Sequence, residues 1–105
     1  MNFKKVLLID GFEKRLLIEG MNYCRTKYPA DDEPTEDINN MLLKAMKARG
    51  RRKADKTVYK MKMKEFDYRV LISGLNYYCR CQKAAGVNVT DTRKFLLDVL
   101  EAYGV

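Results

Sequence analysis

The 105-residue chain has no histidine and no tryptophan, and its apolar runs are too short to cross a membrane. Without histidine, Cys–His and Ser–His nucleophile pairs are excluded, as is the usual general base near neutral pH. The three cysteines, Cys24, Cys79 and Cys81, form no CxxC pair, and no histidine is available to complete a four-ligand zinc site. We therefore expect reduced thiols, no cofactor, no metal and no enzymatic activity.

The start of the chain has no recognisable targeting signal. Met1–Asp10 carries two lysines and a Val-Leu-Leu-Ile run that is shorter than a signal-peptide core. Apolar residues make up 47% of the chain and charged residues 33%, which is typical of a soluble globular protein. The sequence thus predicts a single cytoplasmic domain over residues 1–105, with no membrane partner.

An internal repeat is the strongest pattern in the sequence. A shift of 54 positions places Phe12–Gly50 on Phe66–Gly104 without a gap, and 13 of the 39 aligned positions are identical. Two copies are too few for a solenoid, which needs three or more repeats to bury a continuous core. The duplication instead predicts a fused homodimer with internal pseudo-twofold symmetry.

Each repeat begins with an expected β-strand. Thr57–Lys64 alternates strictly, with Tyr59, Met61 and Met63 on one side and Lys60, Lys62 and Lys64 on the other. The counterpart Phe3–Ile9 is apolar and ends at an Asp-Gly turn signal. Its outward residues are Lys4, Val6 and Leu8, and exposure of the last two predicts self-association.

Two helices follow each strand. Asp10 and Glu13 have capping-box spacing at the start of the first helix. Gly20 and Gly74 occupy the middle of equivalent helices, where glycine costs about 1 kcal/mol relative to alanine, so they indicate a close helix crossing. The second helices show apolar stripes at helical spacing and are expected to end at Gly50 and Gly104.

The expected fold class is α+β and mostly helical. A strand–helix–helix unit occurs twice, in repeats 3–50 and 57–104, with a basic linker over 51–56. Because a lone strand leaves its backbone groups unsatisfied, the two strands are expected to pair antiparallel at the centre. Four helices then pack around them in a pseudo-twofold arrangement.

Positive charge is concentrated in one stretch. The formal charge is +7, and Arg51–Phe66 alone contributes +5, from seven basic and two acidic residues. Such a stretch is typical of a polyanion-binding surface. The alternative is a solvated linker that its lysines keep soluble.

A duplicated strand–helix–helix unit resembles the ribbon-helix-helix DNA-binding proteins, which place a two-stranded ribbon in the major groove. The resemblance implies base contacts from Lys60, Lys62 and Lys64, and phosphate contacts from the N-termini of the second helices. The chain also resembles the TraN-like accessory proteins of Gram-positive conjugation systems, which are internal dimers with helix-turn-helix elements.

These resemblances give two versions of double-stranded DNA binding, by a transcriptional regulator or an accessory factor at a mobile element's transfer origin. In the ribbon version, the lysines of the second strand meet the bases while Arg51, Arg52, Lys53 and Lys56 hold the phosphate backbone. In the helix-turn-helix version, a recognition helix opens with Thr90, Thr92, Arg93 and Lys94. Asn39 and Asn40 are among the equivalents of these helix residues in the first repeat.

A protein-interaction module is the main alternative, such as an adaptor or inhibitor encoded by a mobile element or phage. Seven tyrosines are available as interface anchors, and the basic stretch suits an acidic partner. Single-stranded nucleic acid fits less well, since only Tyr59 lies within the basic strand and it points away from the lysines. The expected partners are double-stranded DNA, other conjugation or replication proteins, and further copies of the chain.

Overall fold

The structure is a computed structural model that describes residues 2–27 and 33–104. This part of the chain is α+β, with four helices and one three-stranded antiparallel sheet, as the sequence predicts at the level of fold class. In chain order, the elements are β1 (Val6–Asp10), α1 (Gly11–Arg25), α2 (Glu33–Lys47), β2 (Arg49–Lys53), β3 (Lys56–Lys62), α3 (Glu65–Ala84) and α4 (Thr90–Tyr103).

The sheet contains one strand more than the sequence predicts. Its order is β1-β3-β2, so β3 is central and pairs antiparallel with both neighbours. Most of β2 lies in the stretch expected to be a linker, and the turn at Ala54 and Asp55 joins it to β3. Gly50 does not end a helix, because α2 stops at Lys47 and Gly50 lies within β2. A Cβ at Gly50 would lie 2.7 Å from Thr57 Cγ2 and 2.8 Å from Tyr59 Cε1, so this position accepts only glycine without rearrangement.

The strand register separates a buried face of the sheet from an exposed one. Leu7 lies opposite Met61 and Ile9 lies opposite Tyr59, and these side chains point toward the helices. Leu7, Ile9 and Met61 are almost completely buried. The intervening residues of β1 and β3 point the other way, because side chains alternate along a strand. The predicted division between methionines and lysines in β3 is therefore confirmed.

Helices α1 and α3 cross closely at two glycines. A Cβ on Gly20 would lie 3.1 Å from Tyr78 Cδ2 and 3.5 Å from Leu75 Cδ2. A Cβ on Gly74 would lie 2.1 Å from Met21 Cε and 3.1 Å from its sulfur. Leu17, Met21, Leu71 and Leu75 are fully buried at this crossing. The predicted role of both glycines in helix packing is confirmed.

The first and third helices begin with different caps. At α1, the Asp10 carboxylate accepts from the Glu13 N–H at 2.7 Å, and the Glu13 carboxylate accepts from the Asp10 N–H at 2.9 Å. At α3, the Asp67 carboxylate accepts from the Lys64 N–H at 2.8 Å. The Lys64 ammonium group is a donor only, so it cannot accept the Asp67 N–H in return. The capping box predicted from Asp10 and Glu13 is thus confirmed at α1, and α3 has only one of the two bonds of such a box. At the other end of the chain, Gly104 caps α4 with φ of +93°, as predicted.

This difference predicts unequal effects of matched substitutions. Asp10→Ala should lower the free energy of unfolding by about 1 kcal/mol, since it removes an N-cap acceptor. Lys64→Ala should be close to neutral, and Lys64→Asp should raise stability by about 0.5–1 kcal/mol by completing the second box. Urea unfolding followed by circular dichroism checks all three variants. Equal losses from Asp10→Ala and Lys64→Ala would contradict this account.

Candidate nucleic-acid interface

The exposed face of the sheet carries a dense group of basic side chains. Directly opposite residues of antiparallel strands share a face, so Lys60 lies on the same side as Arg49, and Lys56 on the same side as Lys53. Arg51 joins them through its pairing with Val58. We call this surface the basic face, and its members are Arg49, Arg51, Lys53, Lys56, Lys60 and Lys62. All six side chains are exposed.

The basic face extends onto the end of α2. A groove of about 710 Å³ lies between α2 and the sheet and is lined by Asn40, Lys44, Lys47 and several residues of the basic face. The Lys44 ammonium donates to the Lys62 carbonyl and to the Asp67 carboxylate, each at 2.8 Å. This ion pair ties α2 to the start of α3. Lys47 is exposed beside it and adds a further positive charge.

The ribbon version's candidate residues are mostly brought together. Arg51, Lys53, Lys56, Lys60 and Lys62 share the basic face. Arg52 points to the opposite side of the hairpin with Thr57, and Lys64 lies just beyond β3 at the start of α3. The basic surface also includes Arg49, Lys44 and Lys47, which sequence reasoning missed. The sequence does show two lysines three residues apart at the end of α2. They lie beside the other basic residues only because the chain reverses from α2 into β2.

The helix-turn-helix candidates at the start of α4 are less accessible. Thr92 is 2% exposed, and its hydroxyl donates to Gln82 Oε1 at 2.8 Å. The Thr90 hydroxyl and backbone N–H both donate to Asn88 Oδ1. Arg93 and Lys94 are exposed. The two threonines therefore serve the α3–α4 connection, and two basic residues of this group remain free to meet a ligand.

In the first repeat, the two asparagines proposed as equivalents have different surroundings. Asn39 is half-buried and its side-chain oxygen accepts from Arg25 Nη1 at 3.1 Å. Asn40 is exposed and lines the groove beside the basic face. Of the two, Asn40 is placed to contact a ligand bound there.

The β1 edge of the sheet lies beside a groove with net negative charge. A groove of about 310 Å³ runs between β1 and α4, and its charged lining residues are Glu13, Asp98 and Glu101 against one lysine, Lys4. Burial raises the pKa of Glu13 above its usual value, and the nearby carboxylates of Asp10 and Asp98 add to the shift. The Asp10 backbone N–H and Lys94 act in the opposite direction. We call this region the acidic groove.

All three cysteines carry free thiols. Cys24 is buried at the α1–α3 crossing, where its thiol donates to the Gly74 carbonyl at 3.3 Å. Burial raises the pKa of this thiol to about 11. Within residues 2–27 and 33–104, no group of three or more cysteine or carboxylate side chains is arranged to hold a metal ion. In the same part of the chain, no helix has the length and apolar character needed to cross a membrane.

Comparison with known protein families, with curated proteins and with solved structures finds no match to this chain. The ribbon-helix-helix and TraN-like resemblances therefore stay expectations drawn from the sequence.

The burial of Thr92 leads to a prediction about its role. Thr92→Val keeps the shape of the side chain but removes the donor to Gln82, so it should lower the free energy of unfolding by about 1 kcal/mol. Thr90→Val affects an exposed residue and serves as the control, with a smaller expected loss. Thermal and urea unfolding check both variants. A Thr92→Val variant as stable as the parent would contradict a structural role.

Proposed function

We propose that the protein binds double-stranded DNA through the basic face. The observation that carries this proposal is the register of β2 and β3, which places six lysine and arginine side chains on one exposed sheet surface. Neutralising phosphates with such side chains releases counterions, which is the main source of sequence-independent affinity for DNA. The protein would act as a transcriptional regulator or as an accessory factor at a transfer origin.

The dimensions of the sheet are compatible with a DNA groove. Strands lie about 4.8 Å apart, so three of them span roughly 10 Å between the outer backbones, against a major groove of about 12 Å. Lysine and arginine side chains can contact guanine edges as well as phosphates. Beside Lys60 and Lys62, the same face carries Leu8 and Val6, and such apolar groups can contact thymine methyl groups.

The sheet is a better candidate than the start of α4. Thr90 and Thr92 have their hydroxyls bonded within the protein, and Lys94 lies close enough to Glu13 to lower its pKa. The basic face has exposed charges on two adjoining strands, with a groove beside it. We therefore assign Arg93 and Lys94 at most a secondary role.

We further propose that the chain is a fused dimer of two strand–helix–helix units, as the 54-residue repeat suggests. Two sets of contacts support this. In the β1–β3 pairing, Leu7 faces its own repeat equivalent, Met61, while Val6 faces Lys62 and Leu8 faces Lys60. Replacing each member of the Val6–Lys62 pair by its repeat equivalent gives the Leu8–Lys60 pair. Reciprocal pairs of this kind are expected at a twofold interface.

The helix crossing has the same reciprocity. Gly20 meets Leu75 and Tyr78, and their repeat equivalents, Met21 and Cys24, meet Gly74. The rings of Tyr23 and its own equivalent, Tyr77, lie 6.3 Å apart between centroids. A pseudo-twofold axis through the Leu7–Met61 and Tyr23–Tyr77 pairs accounts for both sets of contacts.

DNA binding is tested by fluorescence anisotropy with a labelled duplex of about 30 base pairs at several salt concentrations. We expect affinity to fall steeply with salt, with a log–log slope of about −4.5 if about five phosphates are neutralised. Reversing Arg51, Lys60 and Lys62 to glutamate should weaken binding by about 100-fold or more at low salt. Absence of binding by the parent protein at low salt would reject the proposal.

The control has the same net charge but leaves the basic face intact. Lys27, Arg80 and Lys83 lie near the ends of α1 and α3, far along these helices from the sheet. Reversing these three residues should weaken binding much less than reversing the sheet residues. A separate Arg93→Glu and Lys94→Glu variant tests the helix version. If that variant loses binding while the sheet variant keeps it, α4 carries the interface.

The fused-dimer proposal predicts different behaviour of the two halves in isolation. A fragment of residues 1–53 should form a homodimer, because the same twofold contact would place Val6 opposite Leu8 and Leu7 opposite Leu7. A fragment of residues 54–105 would place Lys60 opposite Lys62 twice, and like charges directly opposite destabilise a strand pair. Sedimentation equilibrium and circular dichroism of each fragment check this. A folded monomer from residues 1–53 would contradict the proposed twofold.

A further inference from the structure

The outer edge of β1 has an open stretch next to exposed apolar side chains. Met63 donates its N–H to the Lys5 carbonyl at 2.8 Å, so Lys5 and every second residue after it bond to β3. The same alternation turns the backbone groups of Val6 and Leu8 toward the outer edge. The side chains of Val6 and Leu8 are 41% and 58% exposed. Such an edge accepts an additional strand.

The equivalent edges of β1 and β3 are covered differently by the chain. After α2, the chain becomes β2 and pairs with β3 from Lys56 to Lys60. In the last turn of α4, the Ala102 carbonyl accepts from the Lys4 N–H at 2.8 Å, and Gly104, just after the helix, packs against Asn2. This contact closes the β1 edge only at its beginning. Among the described residues, β1 and β2 are the two edges of the sheet.

The surroundings of the two edges have opposite charge. The acidic groove lies along β1, and its three carboxylates, from Glu13, Asp98 and Glu101, outnumber its one lysine, Lys4. The residues of β2 are all exposed, and four of the five are basic, in the sequence Arg-Gly-Arg-Arg-Lys. Pairing β1 with β1 would bring two acidic grooves together, and pairing β2 with β2 would oppose two basic strands. Only the pairing of β2 with β1 of another copy matches opposite charges.

We propose that the protein self-assembles head to tail, with the β2 edge of one copy pairing with the β1 edge of the next. Leu8 and Val6 then gain a neighbouring strand on the exposed sheet surface, and the carboxylates of the acidic groove meet arginines of β2. Such a contact joins two different surfaces, so it leaves one free edge at each end and does not close into a dimer. This assembly requires no DNA, and its test is independent of the proposed DNA binding.

Sedimentation velocity of the full chain over a range of concentrations, without nucleic acid, provides the first measurement. We expect the weight-average mass to rise to at least twice that of the monomer as concentration increases. The rise should be smaller at about 0.5 M salt than at about 0.05 M, where charges attract over a longer range. A protein that stays monomeric at every concentration would overturn the proposal.

Two variants block one edge each. Leu8→Lys places a charge on the β1 edge, and the paired changes Arg49→Glu and Arg51→Glu reverse the charge of β2. Each variant alone should remain monomeric. Val87→Lys serves as the control, because Val87 is 50% exposed in the α3–α4 connection and should leave assembly unchanged.

Mixing the two blocked variants separates this proposal from other modes of association. The Leu8→Lys variant still offers β2, and the Arg49→Glu/Arg51→Glu variant still offers β1. Their mixture should form a one-to-one complex that grows no further. If the variants still assemble alone, or if their mixture stays monomeric, head-to-tail pairing is wrong.

Discussion

The register of β3 against β1 is the constraint on which the other features of the molecule depend. Leu7 opposite Met61 sets which side chains of both strands face the helices and which face outward. A slip of one residue would exchange the two faces, burying lysines and exposing methionines. Because β3 is also the partner of β2, the pairing of Arg49 with Lys60 then places Arg49 and Arg51 on the exposed surface with Lys60. The basic face thus follows from the way the buried core is paired.

The helices hold this register from below. Helices α1 and α3 follow β1 and β3 directly, so their close crossing at Gly20 and Gly74 fixes how the two strands approach each other. The Lys44–Asp67 ion pair adds a second tie on the basic side. At the corresponding place beside α1, Glu13 and Asp98 are both acidic, so the two sides of a similar framework differ in charge. The proposed fusion of two units would allow this divergence, whereas a homodimer must keep both sides alike.

The sequence was informative where local pattern and buried packing agree. The alternation in Thr57–Lys64, the box formed by Asp10 and Glu13, and the mid-helix glycines each have a physical reason visible in the residues themselves. Strand β2 was missed because Arg49–Lys53 has no apolar alternation. That strand depends on backbone bonds to β3 and on the room that Gly50 leaves for Tyr59, and both come from tertiary structure.

Thr92 is a second residue whose position depends on tertiary packing. As an isolated residue near the start of a helix, it fitted a recognition helix, but it also begins the apolar stripe that continues through Phe95 and Val99. Burial on that stripe decides its position, and Gln82 satisfies its hydroxyl. The basic face and the lysines beside it could not be predicted in full, because Lys47 and Arg49 join this group only through the turn from α2 into β2.

The thiol of Cys24 has a consequence for oxidative chemistry. Oxidants and alkylating agents react with thiolates, and a cysteine with a pKa of about 11 is almost entirely protonated at neutral pH. Cys24 is also 2% exposed, and its thiol donates to the Gly74 carbonyl at the α1–α3 crossing. We therefore expect Cys24 to react slowly in the folded protein and faster when α1 and α3 separate. The rate at which Cys24 is modified would then measure how often the core opens.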